Sequence, residues 1–338
     1  MTGNVAWGLA VVVLAGILQG SFAAPMKRMS AWRWENSWLL FALSGLVISP
    51  WIINFATVPH VLSVYSAVSS STLIKVAAFG LLWGVGSTLF GLGISRVGLA
   101  LGFSLILGIT ASFGSLVPMA ILHPKELLMK RGIALILGTI IMTFGLISLA
   151  FAGRIRERDL GKITGPASAF TVGLVICIFA GIFSSMMNFA FVFGDELRLG
   201  ALHSGASNAM AANPIWALTV SAGFIANFFY CVYLLSKNRT WGLFRMGNTS
   251  LYWLLGSLTG LLWFGGTVLY GTGAAAMGVW GSIIGWPIFI TLDIIVGLFW
   301  GAVSGEWKGA SRLALIYNWA GVGILLLAIG IISAGNAS

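Results

Sequence analysis

Apolar residues fill this chain in long unbroken runs, each about twenty positions, separated by short polar connections. Ten runs are present, with approximate cores Val5 to Ala24, Trp38 to Asn54, Leu73 to Ile94, Leu99 to Leu122, Gly132 to Phe151, Phe170 to Phe193, Ile215 to Leu235, Leu251 to Thr272, Met277 to Trp300 and Leu313 to Ile332. At 1.5 Å per helical residue, each covers the roughly 30 Å of hydrocarbon in a bilayer. Barrel strands would alternate polar and apolar positions over about ten residues, and lipid offers an unpaired backbone group no partner. The pattern predicts an all-α integral membrane protein with ten transmembrane helices. Composition agrees, with 59% hydrophobic and 8% charged residues, where soluble domains carry roughly 25% charged.

A formal net charge of +10 invites a nucleic-acid partner, but the positions of the basic residues argue for a lipid bilayer instead. Thirteen of the eighteen fall in the connections after odd-numbered runs: Lys27, Arg28, Arg33, Arg96, Arg154, Arg156, Arg158, Lys162, Lys237, Arg239, Arg245, Lys308 and Arg312. Lys75, Lys125, Lys130, Arg131 and Arg198 lie on the other side. This bias predicts cytoplasmic odd-numbered connections and both termini extracytoplasmic. No basic residue precedes the first run, which therefore reads as a retained span rather than a cleaved signal.

Cys177 and Cys231 both fall inside predicted helices, which argues against a disulfide framework. His60, His123 and His203 occupy short outer connections without metal-ligand spacing, so no metal site is expected. No metalloprotease motif, nucleophile elbow or phosphate-binding glycine loop with its lysine is present, so neither an enzyme nor a bound cofactor is expected.

The stretch GLLWGVGSTLFGLG, from Gly80 to Gly93, returns 180 positions later as GLLWFGGTVLYGTG, from Gly260 to Gly273; Gly98 and Gly278 keep the offset. Ala15-Gly16-Ile17 returns at Ala180-Gly181-Ile182, an offset of 165, and Gly138 and Gly145 return at Gly323 and Gly330. The repeating unit is five helices. Being odd, it enters the membrane the second time upside down, giving a 5+5 inverted-topology repeat with halves 1–160 and 161–338 and alternating access as its mechanism. The recurrent glycines fit either close helix approach or helix bending during gating.

Several motifs then carry a family resemblance over nearly the whole chain. APMKRMSAWRWENSW (Ala24 to Trp38), Pro50-Trp51, LWGVG (Leu82 to Gly86), AGRIRER (Ala152 to Arg158), GIFS (Gly181 to Ser184) and GEWKGASR (Gly305 to Arg312) resemble the bacterial L-rhamnose/proton symporters of the drug/metabolite transporter superfamily. The resemblance implies ten helices, both termini outside, a bacterial inner-membrane location and proton-driven uptake of L-rhamnose or a related small neutral sugar. Export of a metabolite or drug by the same architecture is the second expectation.

An inverted repeat places ligands near the midplane, and the superfamily resemblance implies a cavity lined by the first, third, fourth, sixth, eighth and ninth helices. A sugar needs hydrogen-bond partners for its hydroxyls and a flat ring for its apolar face. Trp83, Trp263, Tyr270, Trp280 and Trp286 offer rings, or pack against neighbouring helices or lipid. Gln19 and Ser184 are repeat equivalents; Gln19, Asn188, Ser87 and Thr88 offer polar groups to substrate or to a neighbouring helix. Asn227 and Tyr230 are weighed as structural first.

Asp293 is the carboxylate set well inside an apolar run, and it is expected either to couple protons or to be satisfied by a partner near the inner end of the ninth helix. Lys75 either snorkels or pairs with a charge in the cavity. Asp195 and Glu196 are solvated or receive protons at the entrance. Glu35 and Glu306 are expected in gate or structural ion pairs with Arg28 or Arg312.

Overall fold

The computed structural model describes residues 4–97, 99–161, 167–247 and 249–335; Gly98 and Lys162, used above in the repeat and the charge bias, lie outside them. Among the described residues no strand occurs, and ten helical segments are long and apolar enough to cross a membrane. The elements are α1 (Val5–Gly20), α2 (Trp34–Leu43), α3 (Ser49–Thr57), α4 (Val61–Ala67), α5 (Ser70–Val97), α6 (Leu99–Leu122), α7 (Lys130–Asp159), α8 (Ala167–Phe193), α9 (Asp195–His203), α10 (Asn213–Lys237), α11 (Ser250–Ala276), α12 (Gly281–Val303) and α13 (Arg312–Ala334).

The second predicted span is not one regular helix. α2 and α3 are joined by a π-helical turn, Ser44–Ile48, closed by the Ser49 N–H on the Ser44 carbonyl. Pro50 follows, and its missing N–H leaves the Leu46 carbonyl without its usual helical donor. Ser221 of α10 replaces that donor with its hydroxyl, 3.2 Å from Leu46 O, and in turn accepts from Trp51 Nε1 at 2.9 Å. Pro118 inside α6 has the same effect on Gly114 O, and here Asn188 Nδ2 of α8 supplies the bond at 2.8 Å.

Two of the connections between spans contain the short helices α4 and α9. Val61 and Val64 of α4, with Val58 and Val68 beside it, pack with Leu197 and Ala201 of α9 in one buried cluster. The i,i+3 and i,i+4 spacings give each helix a single apolar stripe.

The chain forms two compact units: residues 1–85 with 189–282, and 86–188 with 283–338; the divisions fall inside α5, α8 and α12. Each unit draws on both halves of the sequence. In the first, α1 packs along α11, and a Cβ on Gly266 would stand 2.8 Å from Gln19 Cβ, one on Gly273 2.8 Å from Val12 Cγ2. In the second, a Cβ on Gly86 would stand 2.8 Å from Ser184 N, one on Gly93 2.6 Å from Cys177 Sγ. Gln19 and Ser184, like Val12 and Cys177, are 165 positions apart; Gly86 and Gly266, like Gly93 and Gly273, are 180 apart. Each unit thus closes a helix pair over the same two glycines. In hydrocarbon, where apolar burial gives no drive to associate, such close approach is what makes helices adhere. The second unit also packs α7 along α13, with Gly145 against Leu325 and Gly321.

Candidate functional site

In the first unit the last turn of α1 presents Gln19, buried at 6% exposure, to α11. Gly266 gives it room, and Thr267 Oγ1 donates to Gln19 Oε1 at 3.4 Å and to Trp263 O at 3.3 Å. Among the described residues no protein acceptor takes the Gln19 amide protons. One turn earlier on α11, Trp263 stacks on Trp83 of α5, centroids 5.4 Å apart and planes inclined by 29°. Phe41 of α2 meets Trp263 edge-on at 5.9 Å, and Trp38 and Phe22 pack on Phe41 at 4.8 and 5.5 Å. The Trp83 ring lies over Gly223 of α10, where a Cβ would come within 2.5 Å of it. An amide with free protons beside a stacked indole pair is the donor-plus-platform chemistry a neutral sugar requires.

Tyr270, two helical turns beyond Trp263 on α11, is fully buried with Phe191 and Trp216, and its hydroxyl donates to Ser282 O at 3.3 Å. Phe191 and Trp216 stack at 4.8 Å, and the Trp216 indole N–H is buried with no acceptor among the described residues. Trp280 ends the short 3₁₀ turn Gly278–Trp280 and is half-buried.

In the second unit Asn188 is fully buried with its amide engaged on Gly114 O. Of the two expectations for this amide, substrate or a neighbouring helix, the bond to Gly114 O is of the second kind and repairs the proline gap in α6. Trp286 of α12 lies on Gly114 and donates from Nε1 to Thr110 O at 3.0 Å, while the Thr110 hydroxyl bonds Ile106 O and Gly181 O. Of the roles expected for this indole, sugar platform or packing, these contacts are of the packing kind and tie α12 to α6. Ser184 is half-buried against Gly86, and Ser87 and Thr88 follow half-buried on α5. Asp293 is half-buried on α12, and among the described residues none bonds its carboxylate.

The remaining charged candidates sit at helix ends. Glu35 was expected to meet an arginine; its Oε1 instead accepts from Asn238 Nδ2 at 3.0 Å and Thr240 Oγ1 at 2.8 Å, while Asn36 Nδ2 donates to Thr240 O. The start of α2 and the end of α10 meet directly there, which buries Glu35 to 4% exposure and brings these donors to it. Glu306 pairs with Arg156, at 3.7 Å, and Arg156 also lies over the Trp307 ring. Lys75 is exposed on the first turns of α5.

Glu196 accepts from Ser69 N at 2.8 Å, Ser69 Oγ at 2.6 Å and the Thr72 hydroxyl, capping the start of α5. Those bonds, with a smaller contribution from the Lys75 charge, hold its carboxyl below the usual range. Asp195 pairs with Arg198 at 2.6 Å. Asn227 accepts from Trp38 Nε1 and donates to Gly223 O, a structural arrangement, and Tyr230 lies edge-on to Trp34. Phe22, Phe41, Phe191, Trp216 and Thr267 are among the members of these clusters that the sequence did not single out; the signal for Thr267 is its place between Gly266 and Tyr270 in the repeated stretch.

A family profile described as L-rhamnose-proton symport protein (RhaT) matches residues 1–338. Proteins named L-rhamnose-proton symporter from Escherichia coli O17:K52:H18, Citrobacter koseri and Shigella boydii serotype 18 are each 27% identical over 345 residues, covering 100% of both chains. With the motifs, the ten spans and a profile match from end to end, the chain belongs to the L-rhamnose-proton symport protein family.

Proposed function

We propose that this chain is a multi-pass protein of the bacterial inner membrane that takes up L-rhamnose, or a closely related sugar, together with protons by alternating access. The profile match over all 338 residues carries the reading. The relatives' names give no support to export, the second expectation.

The 5+5 inverted repeat, with halves 1–160 and 161–338 and both termini outside, is part of the proposal. The glycine contacts shared by the two units, Gln19 on Gly266 and Ser184 on Gly86, support it. So does the Trp83 and Trp263 stack. Residues related by a two-fold axis touch each other only where they flank that axis, which for an inverted repeat runs through the membrane midplane. The indole pair and the Gln19 amide, all in the first unit, are therefore the centre of the proposed sugar site, with Tyr270 and Trp280 as supporting rings; Ser87, Thr88, Ser184 and Trp286 are separate candidates in the second unit.

Asp293 is the proposed proton carrier. A carboxylate within an apolar span costs roughly 2.5 to 3.5 kcal/mol at the centre and has a functional origin by default. Glu306 with Arg156 is the proposed inner clasp, and Lys75 snorkels at the outer end of α5.

Uptake of labelled L-rhamnose into proteoliposomes tests the reading. An imposed gradient, acid outside, is expected to drive accumulation that a protonophore abolishes. Uptake indifferent to the gradient would remove proton coupling, and no saturable uptake would remove the sugar.

A further inference from the structure

Where α2, α11 and the 3₁₀ turn Trp241–Arg245 meet, the surface of the first unit is indented by a cavity of about 520 Å³. Its walls are Leu39 and Leu43 of α2, Trp241, Phe244 and Arg245 of the turn, and Trp253 near the start of α11. The turn is fixed from behind: Trp32 Nε1 donates to Leu243 O at 3.0 Å, and the Trp32 ring meets Phe244 and Trp253 edge-on at 5.2 and 5.6 Å. Gly242, with open space where a side chain would stand, leaves the mouth unfilled.

The lining combines two chemistries. Leu43, Trp241 and Trp253 are large apolar side chains left 39%, 46% and 45% exposed, a surface matched to acyl chains. Arg245 is exposed at the same wall, and among the described residues no carboxylate pairs with it. The connection from Ser236 to Thr249 carries Lys237, Arg239 and Arg245 and no acidic residue. A planar guanidinium without a carboxylate suits a phosphate, and the basic bias assigns this connection to the cytoplasmic leaflet, where anionic headgroups concentrate. Tryptophans at the rim hold the headgroup level.

We propose that this groove is a binding site for one anionic glycerophospholipid, its phosphate on Arg245 and an acyl chain against Leu39, Leu43 and Trp253. The apolar walls select a lipid over a free phosphate, and Arg245 selects an anionic headgroup over a zwitterionic one.

The full-length protein, stripped of lipid in detergent and exposed to equal phosphatidylglycerol and phosphatidylethanolamine, is read by native mass spectrometry for retained lipid. The wild type is expected to retain phosphatidylglycerol preferentially. Arg245→Gln should lower that preference about fivefold, the equivalent of about 1 kcal/mol for one basic residue at an anionic surface, and Arg245→Lys should keep most of it. Arg239 lies outside the groove wall with φ 55°, a conformation asparagine tolerates, and Arg239→Asn should leave the preference intact. Leu43→Trp, which fills the groove, should reduce retention of both lipids. Equal retention by the wild type, an unchanged preference in Arg245→Gln, an equal drop in Arg239→Asn, or displacement of the lipid by glycerol 3-phosphate each overturns the site.

Discussion

Trp83 and Trp263 stand 180 positions apart in the chain and stack on each other at 5.4 Å. The repeated stretch thus places one copy of its tryptophan on the other. Aromatic pairs contribute about 0.5 to 1.5 kcal/mol beyond area burial. Trp263→Ala removes one face of the proposed platform, and the expected outcome is a KM for L-rhamnose raised about tenfold, the equivalent of about 1.4 kcal/mol. Trp319→Ala, on the exposed face of α13, is the control expected to leave KM unchanged. Initial-rate uptake in proteoliposomes measures both, and equal effects would detach the stack from substrate.

Asp293→Asn keeps the shape of the side chain and removes the titrating proton. Accumulation driven by a pH gradient should fall to the equilibrium level while exchange of labelled for unlabelled sugar continues. Thermal stability in detergent should hold or rise, because a carboxylate has left an apolar span. Full gradient-driven accumulation in the variant would exclude Asp293 from coupling.

The ten spans are legible in sequence because hydrocarbon admits few alternatives to a helix of this length and polarity. The π turn at Ser44–Ile48 is not: Pro50 hints at a break, but its repair depends on Ser221, 175 positions from Leu46. Asn188 leaves two roles open in the sequence for a related reason. An amide in an apolar run looks the same whether it serves a sugar hydroxyl or a carbonyl, and its partner Gly114 lies 74 positions away. Glu35 is similar, since nearby arginines suggest an ion pair while Asn238 and Thr240 become neighbours only on folding. Gln19 is singled out in the sequence by its repeat equivalence to Ser184.

Gly91 and Gly271 are repeat equivalents with opposite surroundings. A Cβ on Gly271 would stand 2.6 Å from Trp216 Nε1, whereas among the described residues nothing lies within 4 Å of one on Gly91. Gly271→Ala should destabilise by about 1 to 3 kcal/mol through overpacking. Gly91→Ala should be neutral or gain about 0.5 to 1 kcal/mol from helix propensity. Thermal unfolding in detergent separates them, and matching shifts would contradict the packing described.

Glu196 links stability to acidity. Its carboxyl is held below the usual range by the Ser69 and Thr72 donors, so its contribution is fully present above the ordinary glutamate value of about 4.3. It is lost as pH falls below that value through the folded one. Glu196→Gln should flatten this acid limb. A melting-temperature profile from pH 7 to pH 3 reads it, and an acid limb identical to wild type would assign the loss elsewhere.

Asn188 gives Gly114 the proton that Pro118 withholds, and so turns a weak point of α6 into a coupled joint. Any swing of α6 about its proline that α8 does not follow strips a carbonyl bare in oil. The bond thus acts as a brake at the bend, a modest bias against either helix moving without the other.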